Sequence, residues 1–241
     1  MKQNMQNYTP TDQLVWRTLF NRQVKNLETK GSPIYLECLK KMNPVLHGDT
    51  IPNFTEINTW FKNYTQWQIE VVPGLIPVED FFELLANKKF CSSTWLRSME
   101  QLDYLEEPDM FHDVFGHIPL LADPNFSEFA HQFGKLGQSF KGNQIVLTQL
   151  QRLYWFTIEF GLIKENNQPK VYGAGIISSF GETNRIANAN CTILPFDIDI
   201  VLKKVFQNDV LQEEYFLIES INQLNEALQQ AHILLARKIE Y

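Results

Sequence analysis

The stretch Pro108-Asp109-Met110-Phe111-His112-Asp113-Val114-Phe115-Gly116-His117-Ile118-Pro119 constrains the fold more than any other part of the chain. It holds two of the five histidines, five residues apart, on an apolar segment that stops at a proline. Histidines at i and i+4 are about 40° apart around a regular helix and can face one ion, whereas a spacing of five separates His112 from His117 by about 140°. The two share an ion only if the helix loosens between them. Gly116 relaxes the backbone there, and Pro119 biases Ile118 away from helical geometry. Pro108 suits a first helical position and Asp109 the positive end, which predicts a short helix from about Pro108 to Phe115 with His117 at its frayed end.

No Gly/Ser- or Pro-rich linker divides the 241 residues, so a single domain, 1–241, is expected, with residues 1–9 flexible. Hydrophobic residues at 44%, with 18 phenylalanines, are enough for a large core. A net charge of −7 argues against nucleic acid or an anionic membrane surface as partner and in favour of a small ligand. Cys38, Cys91 and Cys191 are odd in number and widely separated, and read as reduced thiols of a cytoplasmic protein. Met1 to Pro10 lacks the apolar core of a signal peptide, and no run approaches the roughly 20 apolar residues that span a bilayer.

Along the chain, apolar positions Trp16, Leu19, Phe20, Val24 and Leu27 recur at helical spacing and predict a scaffold helix from Thr11 to Leu27. Tyr35 to Met42 and Asn53 to Tyr64 also read as helices, and Gln68 to Val72 as a short extended segment. The loop Val72-Pro73-Gly74-Leu75-Ile76-Pro77 is stiffened by its prolines and offers backbone groups that can grip a planar heterocycle; the alternative is an ordinary turn before a helix starting at Pro77. One of Phe81 and Phe82 on that helix is expected in the core. Asp123-Pro124 starts a further helix with an apolar stripe of Phe126, Phe129, Phe133 and Leu136, which leaves His131 on the exposed side. His47 reads as a solvated loop residue, and His232 as exposed on a C-terminal helix, Asn222 to Lys238.

Thr148 to Phe160 reads as a buried helix ended by Gly161, and Glu159 is its anomaly. Carboxylates are rarely buried unless paired or coordinated, and the C-terminal end of a helix disfavours another negative charge. A metal cation would relieve both problems; the alternatives are a side chain reaching solvent or a pair with Arg152. Trp155, four residues earlier, is expected on the face of Glu159. The glycine-rich stretch Val171 to Gly181 carries no phosphate-loop lysine, so its small residues more readily serve close backbone approach to a ligand or metal. Two histidines and a carboxylate without cysteine suit non-haem Fe(II) with three open positions, and they equally suit zinc with a hydrolytic water and Asp113 as base. Spacing alone does not separate the two.

Several motifs together do. The Pro108 to His117 stretch, Tyr154-Trp155-Phe156-Thr157-Ile158-Glu159-Phe160-Gly161, and Tyr172-Gly173-Ala174-Gly175 through Ser178-Ser179-Phe180-Gly181-Glu182 closely resemble the pterin-dependent aromatic amino acid hydroxylases. The resemblance runs from about Tyr8-Thr9, through Thr65-Gln66-Trp67 and the Pro-Gly loop, to Tyr215 through Ser220. It implies an α+β, predominantly helical fold: a single catalytic domain of helices with a few short strands around a central non-haem iron cleft. It favours iron over zinc and implies Fe(II) and a tetrahydropterin as cofactors, with L-phenylalanine and O2 as substrates. His112, His117 and Glu159 match the iron ligands, and Ser178 matches a serine that supports His112. Arg97 matches the residue that grips the substrate carboxylate, Asp109 the acid that orients it, and Pro108, Trp155, Phe160 and Gly175 the walls around the substrate ring. Phe81 matches the aromatic that stacks on the pterin, Gly74 and Ile76 the loop backbone that reads its edge, and Asp113 an acid that contacts it through water. Asp113 is one methylene shorter than the glutamate of the animal enzymes, Leu105 replaces a threonine, and Gln151 stands where a small alanine is usual. The resemblance further implies a monomer without the regulatory domain or C-terminal oligomerisation helix of the animal proteins.

Overall fold

The first helix shows how local chemistry sets the boundaries. Thr9 accepts a hydrogen bond from the Asp12 N–H while the Asp12 carboxylate accepts from the Thr9 N–H, and Pro10 occupies the first turn, so α1 runs Pro10–Leu27. Its inner face buries Val15, Trp16, Leu19, Phe20, Gln23 and Leu27. A computed structural model describes residues 1–103, 105, 107–208 and 210–236 of the chain. The expected end of the last helix at Lys238 lies outside the described residues.

After α1 come α2 (Pro33–Lys41), α3 (Phe54–Phe61), β1 (Gln68–Val71), α4 (Val78–Ala86) and β2 (Lys89–Ser92). The central stretch is followed by α5 (Pro124–Ser139) and α6 (Gln144–Tyr154), then β3 (Gly161–Glu165), β4 (Gln168–Val171), α7 (Ala174–Ile177) and α8 (Phe180–Ala187). The chain continues through β5 (Thr192–Pro195), α9 (Ile198–Val201), β6 (Glu214–Ile218) and α10 (Ile221–Ala236). Strands β1 and β2 pair in parallel, and the other four form one sheet in the order β4-β3-β6-β5, antiparallel at β3/β4 and parallel elsewhere. The architecture is the predominantly helical α+β arrangement that the motifs imply.

Two local expectations change. Residues 1–9 do not hang free: Gln3 donates to the Pro52 carbonyl and accepts from the Phe54 N–H, and the Tyr8 hydroxyl donates to the Thr94 carbonyl. Polar side chains tie this end down where apolar ones would have signalled packing. His131 is not on an open face; its ring is largely covered, with Nε2 3.1 Å from the Ala86 carbonyl, because α4 lies close against α5. Gly134 and Gly137 permit that approach, since a Cβ at Gly137 would sit 2.2 Å from the Phe82 ring. Lys89–Ser92, too short to carry a periodic signal, is a strand whose partner β1 supplies its hydrogen bonds. Of the two phenylalanines on α4, Phe82 is the buried one and Phe81 faces the cleft side, half-buried.

Candidate active site

The spacing of five is resolved by the backbone. From His112 to His117 the chain winds as a π-helix, followed by a 3-10 turn at Pro119–Ala122. Hydrogen bonding from i to i+5 puts one extra residue into the turn, so residues five apart stack on one face. Tyr35 donates its hydroxyl to the Phe115 carbonyl at 2.6 Å, giving one loosened backbone group a buried partner. The same winding recurs at Trp155–Glu159, where the Phe160 N–H donates to the Trp155 carbonyl at 2.8 Å. The helix through Thr148 to Phe160 therefore changes winding at Trp155. Glu159 consequently shares its face with Tyr154, five residues earlier, rather than with Trp155, and the Tyr154 hydroxyl helps to hold the Glu159 carboxyl down. Trp155 pairs instead with Phe160, ring centroids 4.6 Å apart.

These two π turns bring the three sequence-predicted donors together. His117 Nε2 lies 3.2 Å from His112 Nε2 and 3.0 Å from Glu159 Oε1, and His112 Nε2 lies 3.6 Å from Glu159 Oε2. Arg152, the other conceivable partner of Glu159, donates to the carbonyls of Leu202 and Lys203. Gly173 makes the junction possible: a Cβ there would sit 2.4 Å from the Glu159 carbonyl oxygen.

The donor set fits a single cation. Ser178 Oγ gives its proton to the Ala174 carbonyl at 2.8 Å and so accepts from His112 Nδ1 at 2.9 Å, which leaves the Nε2 lone pair aimed at the triad. Burial drives the His112 pKa down to about 4, which favours the neutral imidazole a metal needs. Burial pushes Glu159 up, but the two histidines and the Tyr154 hydroxyl outweigh it and hold the carboxyl below its ordinary range. The triangle edges are close to the roughly 3 Å expected between neighbouring donors that share one ion at about 2.1 Å. Two imidazole nitrogens and a carboxylate, with no thiolate among them, match a hard-to-borderline divalent ion with open positions.

Around the triad the remaining predicted residues fall into two groups. On one side Arg97, 7% exposed, meets Asp109, which is fully buried: Asp109 Oδ2 accepts from the Arg97 N–H and Nε, and Oδ1 from Nη2 at 2.8 Å and from the His112 N–H at 3.0 Å. Burial pushes Asp109 up, yet these bonds and the guanidinium charge hold its carboxyl below the usual range. Pro108 is exposed just ahead of it. Trp155, Phe160 and Gly175 form a continuous wall, and a Cβ at Gly175 would meet the Phe160 ring at 2.7 Å. On the other side Phe81 stands edge-on to Tyr154 at 5.0 Å and to Phe90 at 6.3 Å. Asp113 accepts from the Ser93 N–H at 2.9 Å, and burial raises its pKa to about 7. Gly74 and Ile76 are half-buried in the loop before α4, and space is open around the Gly74 Cα.

Reasoning from sequence missed four neighbours. Tyr154 carries the signal it lacked, the same spacing of five that links the two histidines. Phe90 packs on the His117 ring with centroids 4.5 Å apart, and Phe206 stacks on Trp155 at 4.3 Å. Gln212 accepts from the Trp155 Nε1–H at 3.3 Å. The last two come from the segment between α9 and β6, whose residues show no periodicity.

Fold and site together define a mainly helical protein in which two histidines and a carboxylate could hold one metal ion, with the Arg97–Asp109 pair and an aromatic wall on one side and Phe81 on the other. Residues 2–241 match the family described as biopterin-dependent aromatic amino acid hydroxylase, and the chain belongs to that family. It is 40% identical over 230 residues to the phenylalanine-4-hydroxylase of Mesorhizobium japonicum, covering 93% of this chain and 81% of that protein. To the phenylalanine-4-hydroxylase of Vibrio cholerae it is 43% identical over 211 residues, covering 87% and 72%. The crystal structure of Chromobacterium violaceum phenylalanine hydroxylase with bound iron(III) and oxidised 7,8-dihydrobiopterin superposes with a TM-score of 0.90 at 38% identity, covering 98% of this chain and 86% of that one. No helix among the described residues is long and apolar enough to cross a membrane.

Proposed function

We propose that this chain is a phenylalanine 4-monooxygenase, converting L-phenylalanine to L-tyrosine with O2 and a tetrahydropterin. The observation that carries the reading is the convergence of His112, His117 and Glu159 at 3.0–3.6 Å between the Arg97–Asp109 pair and Phe81. The similarity to bacterial phenylalanine-4-hydroxylases supports the choice of substrate.

His112, His117 and Glu159 would hold Fe(II), which together with the tetrahydropterin supplies the activation of O2, one oxygen atom going to the ring and the other to the pterin. The chain's own residues supply binding, orientation and exclusion of water. Asp109 fixes Arg97 through Nε and Nη2, which leaves Nη1 outside that fork to take the substrate carboxylate. Trp155 and Phe160, buttressed by Phe206, would confine the aromatic ring of the substrate. Phe81 would offer a face for the pterin, the Gly74 and Ile76 backbone would read its edge, and Asp113 would contact it through water. Ser178 keeps the His112 proton on Nδ1, so that ligand does not change tautomer during turnover. The three cysteines, none of them in a disulfide, support a reducing compartment, the cytoplasm.

Product chromatography with phenylalanine, tyrosine and tryptophan as alternative substrates tests the assignment. Tyrosine from phenylalanine, abolished in His112→Ala, is expected; exclusive formation of 5-hydroxytryptophan would overturn the substrate.

A further inference from the structure

We infer that Gln23, on the inner face of α1, is a positioning residue for the metal centre that acts through Ser178. It is the polar member of an otherwise apolar buried face and is 2% exposed. Its Nε2 donates to the Ile177 carbonyl at 2.6 Å and to Thr183 Oγ1 at 3.0 Å, and lies 3.3 Å from the Ser179 carbonyl. Ile177 and Ser179 flank Ser178 in the chain. Both carbonyls are pure acceptors, so the nitrogen end of the amide must face them and the side-chain orientation is fixed by chemistry. Thr183 Oγ1 lies within donating distance of the Ile176 and Ser179 carbonyls, so its hydroxyl closes the same turn.

The need for such a clamp follows from the local structure. Ser178 caps α7, a helix of four residues; the Ile176 carbonyl is met by the Ser179 N–H and the Thr183 hydroxyl, but the chain turns away before a following turn can serve the Ile177 carbonyl. Gln23 supplies the missing donor from an element 154 residues away in sequence. The Ser178 hydroxyl is committed to Ala174 on one side and to His112 Nδ1 on the other, so a shift of the 177–179 backbone moves the acceptor that sets the tilt and tautomer of the His112 ring. An apolar residue of the same length would fill the space but leave the buried Ile177 carbonyl without its donor, while the Ser179 carbonyl keeps the Thr183 N–H and hydroxyl.

This inference rests on the reading of His112 as a metal ligand, and the test separates the two. Gln23→Met, Ser178→Ala and the double variant are prepared as apo proteins, titrated with Co(II) against a competing chelator, and melted in parallel. Ser178→Ala is expected to weaken Co(II) binding about 10- to 100-fold, the range for residues that orient a ligand. Gln23→Met is expected to weaken it by a smaller factor, and the double variant to bind no more weakly than Ser178→Ala, because one residue works through the other. Independent, multiplying losses, or a Gln23→Met protein with lowered Tm and wild-type Co(II) affinity, would overturn the inference. Should Gln23→Met fail to fold, Gln23→Asn, which keeps the amide one methylene short of its acceptors, is read by the same criteria. A wild-type protein that does not bind Co(II) would overturn the metal site itself, and this inference with it.

Discussion

Replacing Asp109 by Asn tests the substrate side of the site with little change of shape. The carboxylate is fully buried and accepts four hydrogen bonds, three from Arg97 and one from the His112 N–H. Asparagine keeps one oxygen and turns the other into a donor, so either two Arg97 N–H groups or Nη2 and the His112 N–H face another N–H. The guanidinium also loses its counter-charge in a site where it is 7% exposed. Removing one partner of a buried ion pair costs about 3–5 kcal/mol. At roughly 2–4 °C per kcal/mol for a chain of this size, Tm should fall by about 6–20 °C. In steady-state assays the KM for phenylalanine should rise by at least about tenfold, the factor for 1.4 kcal/mol of lost orientation, with a smaller fall in kcat. The pH dependence has a definite sign. Because the Asp109 carboxyl is held below its ordinary 3.8, its stabilisation is present above that value and is lost as pH falls through the lower folded one. The stability gap between wild type and Asp109→Asn should therefore narrow in urea titrations below about pH 4. A Tm change of under about 2 °C with an unchanged KM would refute this account of the pair. Pairing Arg97→Met with Asp109→Leu should cost less stability than either change alone, since no unpaired charge remains.

Other perturbations address the rest of the site. Gly173→Ala places a methyl 2.4 Å from the Glu159 carbonyl oxygen and 2.5 Å from the Gly161 nitrogen, both backbone atoms; it should cost at least about 1–3 kcal/mol and weaken metal binding, read by chelator competition. Phe81→Ala should raise the KM for the tetrahydropterin while leaving that for phenylalanine nearly unchanged; parallel increases in both would count against Phe81 as the stacking face. Glu182 is 4% exposed and accepts from the Tyr215 hydroxyl and the Gln212 N–H, and burial raises its pKa above 4.5. A raised carboxyl stabilises the fold below its unfolded value and loses that contribution as pH rises. The stability of Glu182→Gln relative to wild type should accordingly improve between about pH 4.5 and neutrality, measured by denaturant titration.

The start of α5 was legible because Asp123 with Pro124 carries its hydrogen-bond partners within three residues, whereas α1, expected from Thr11, starts at Pro10 because Thr9 and Asp12 cap each other. The helix expected to end near Phe115 winds on through His117, yet a loosening between His112 and His117 was legible, since a spacing of five cannot be met by an ordinary helix. Its form was not, because π winding depends on tertiary support such as the Tyr35 hydroxyl on the Phe115 carbonyl, 80 residues away. The same difficulty placed Trp155 rather than Tyr154 beside Glu159. Strand β2 gave no periodic signal in four residues, and its pairing with β1 is what makes it a strand. Gln23 carries no signal in the sequence, because its role rests on three partners beyond position 176.

Hydroxylation of phenylalanine by this chain would require one Fe(II) held by His112, His117 and Glu159. Anaerobic titration of the apo protein with Fe(II), followed at each point by tyrosine formation with tetrahydropterin and O2, tests it most directly. Tyrosine formation should rise linearly, saturate at one iron per chain, and be absent from His117→Ala at every ratio. Tyrosine formed without iron, or undiminished in His117→Ala, would contradict it.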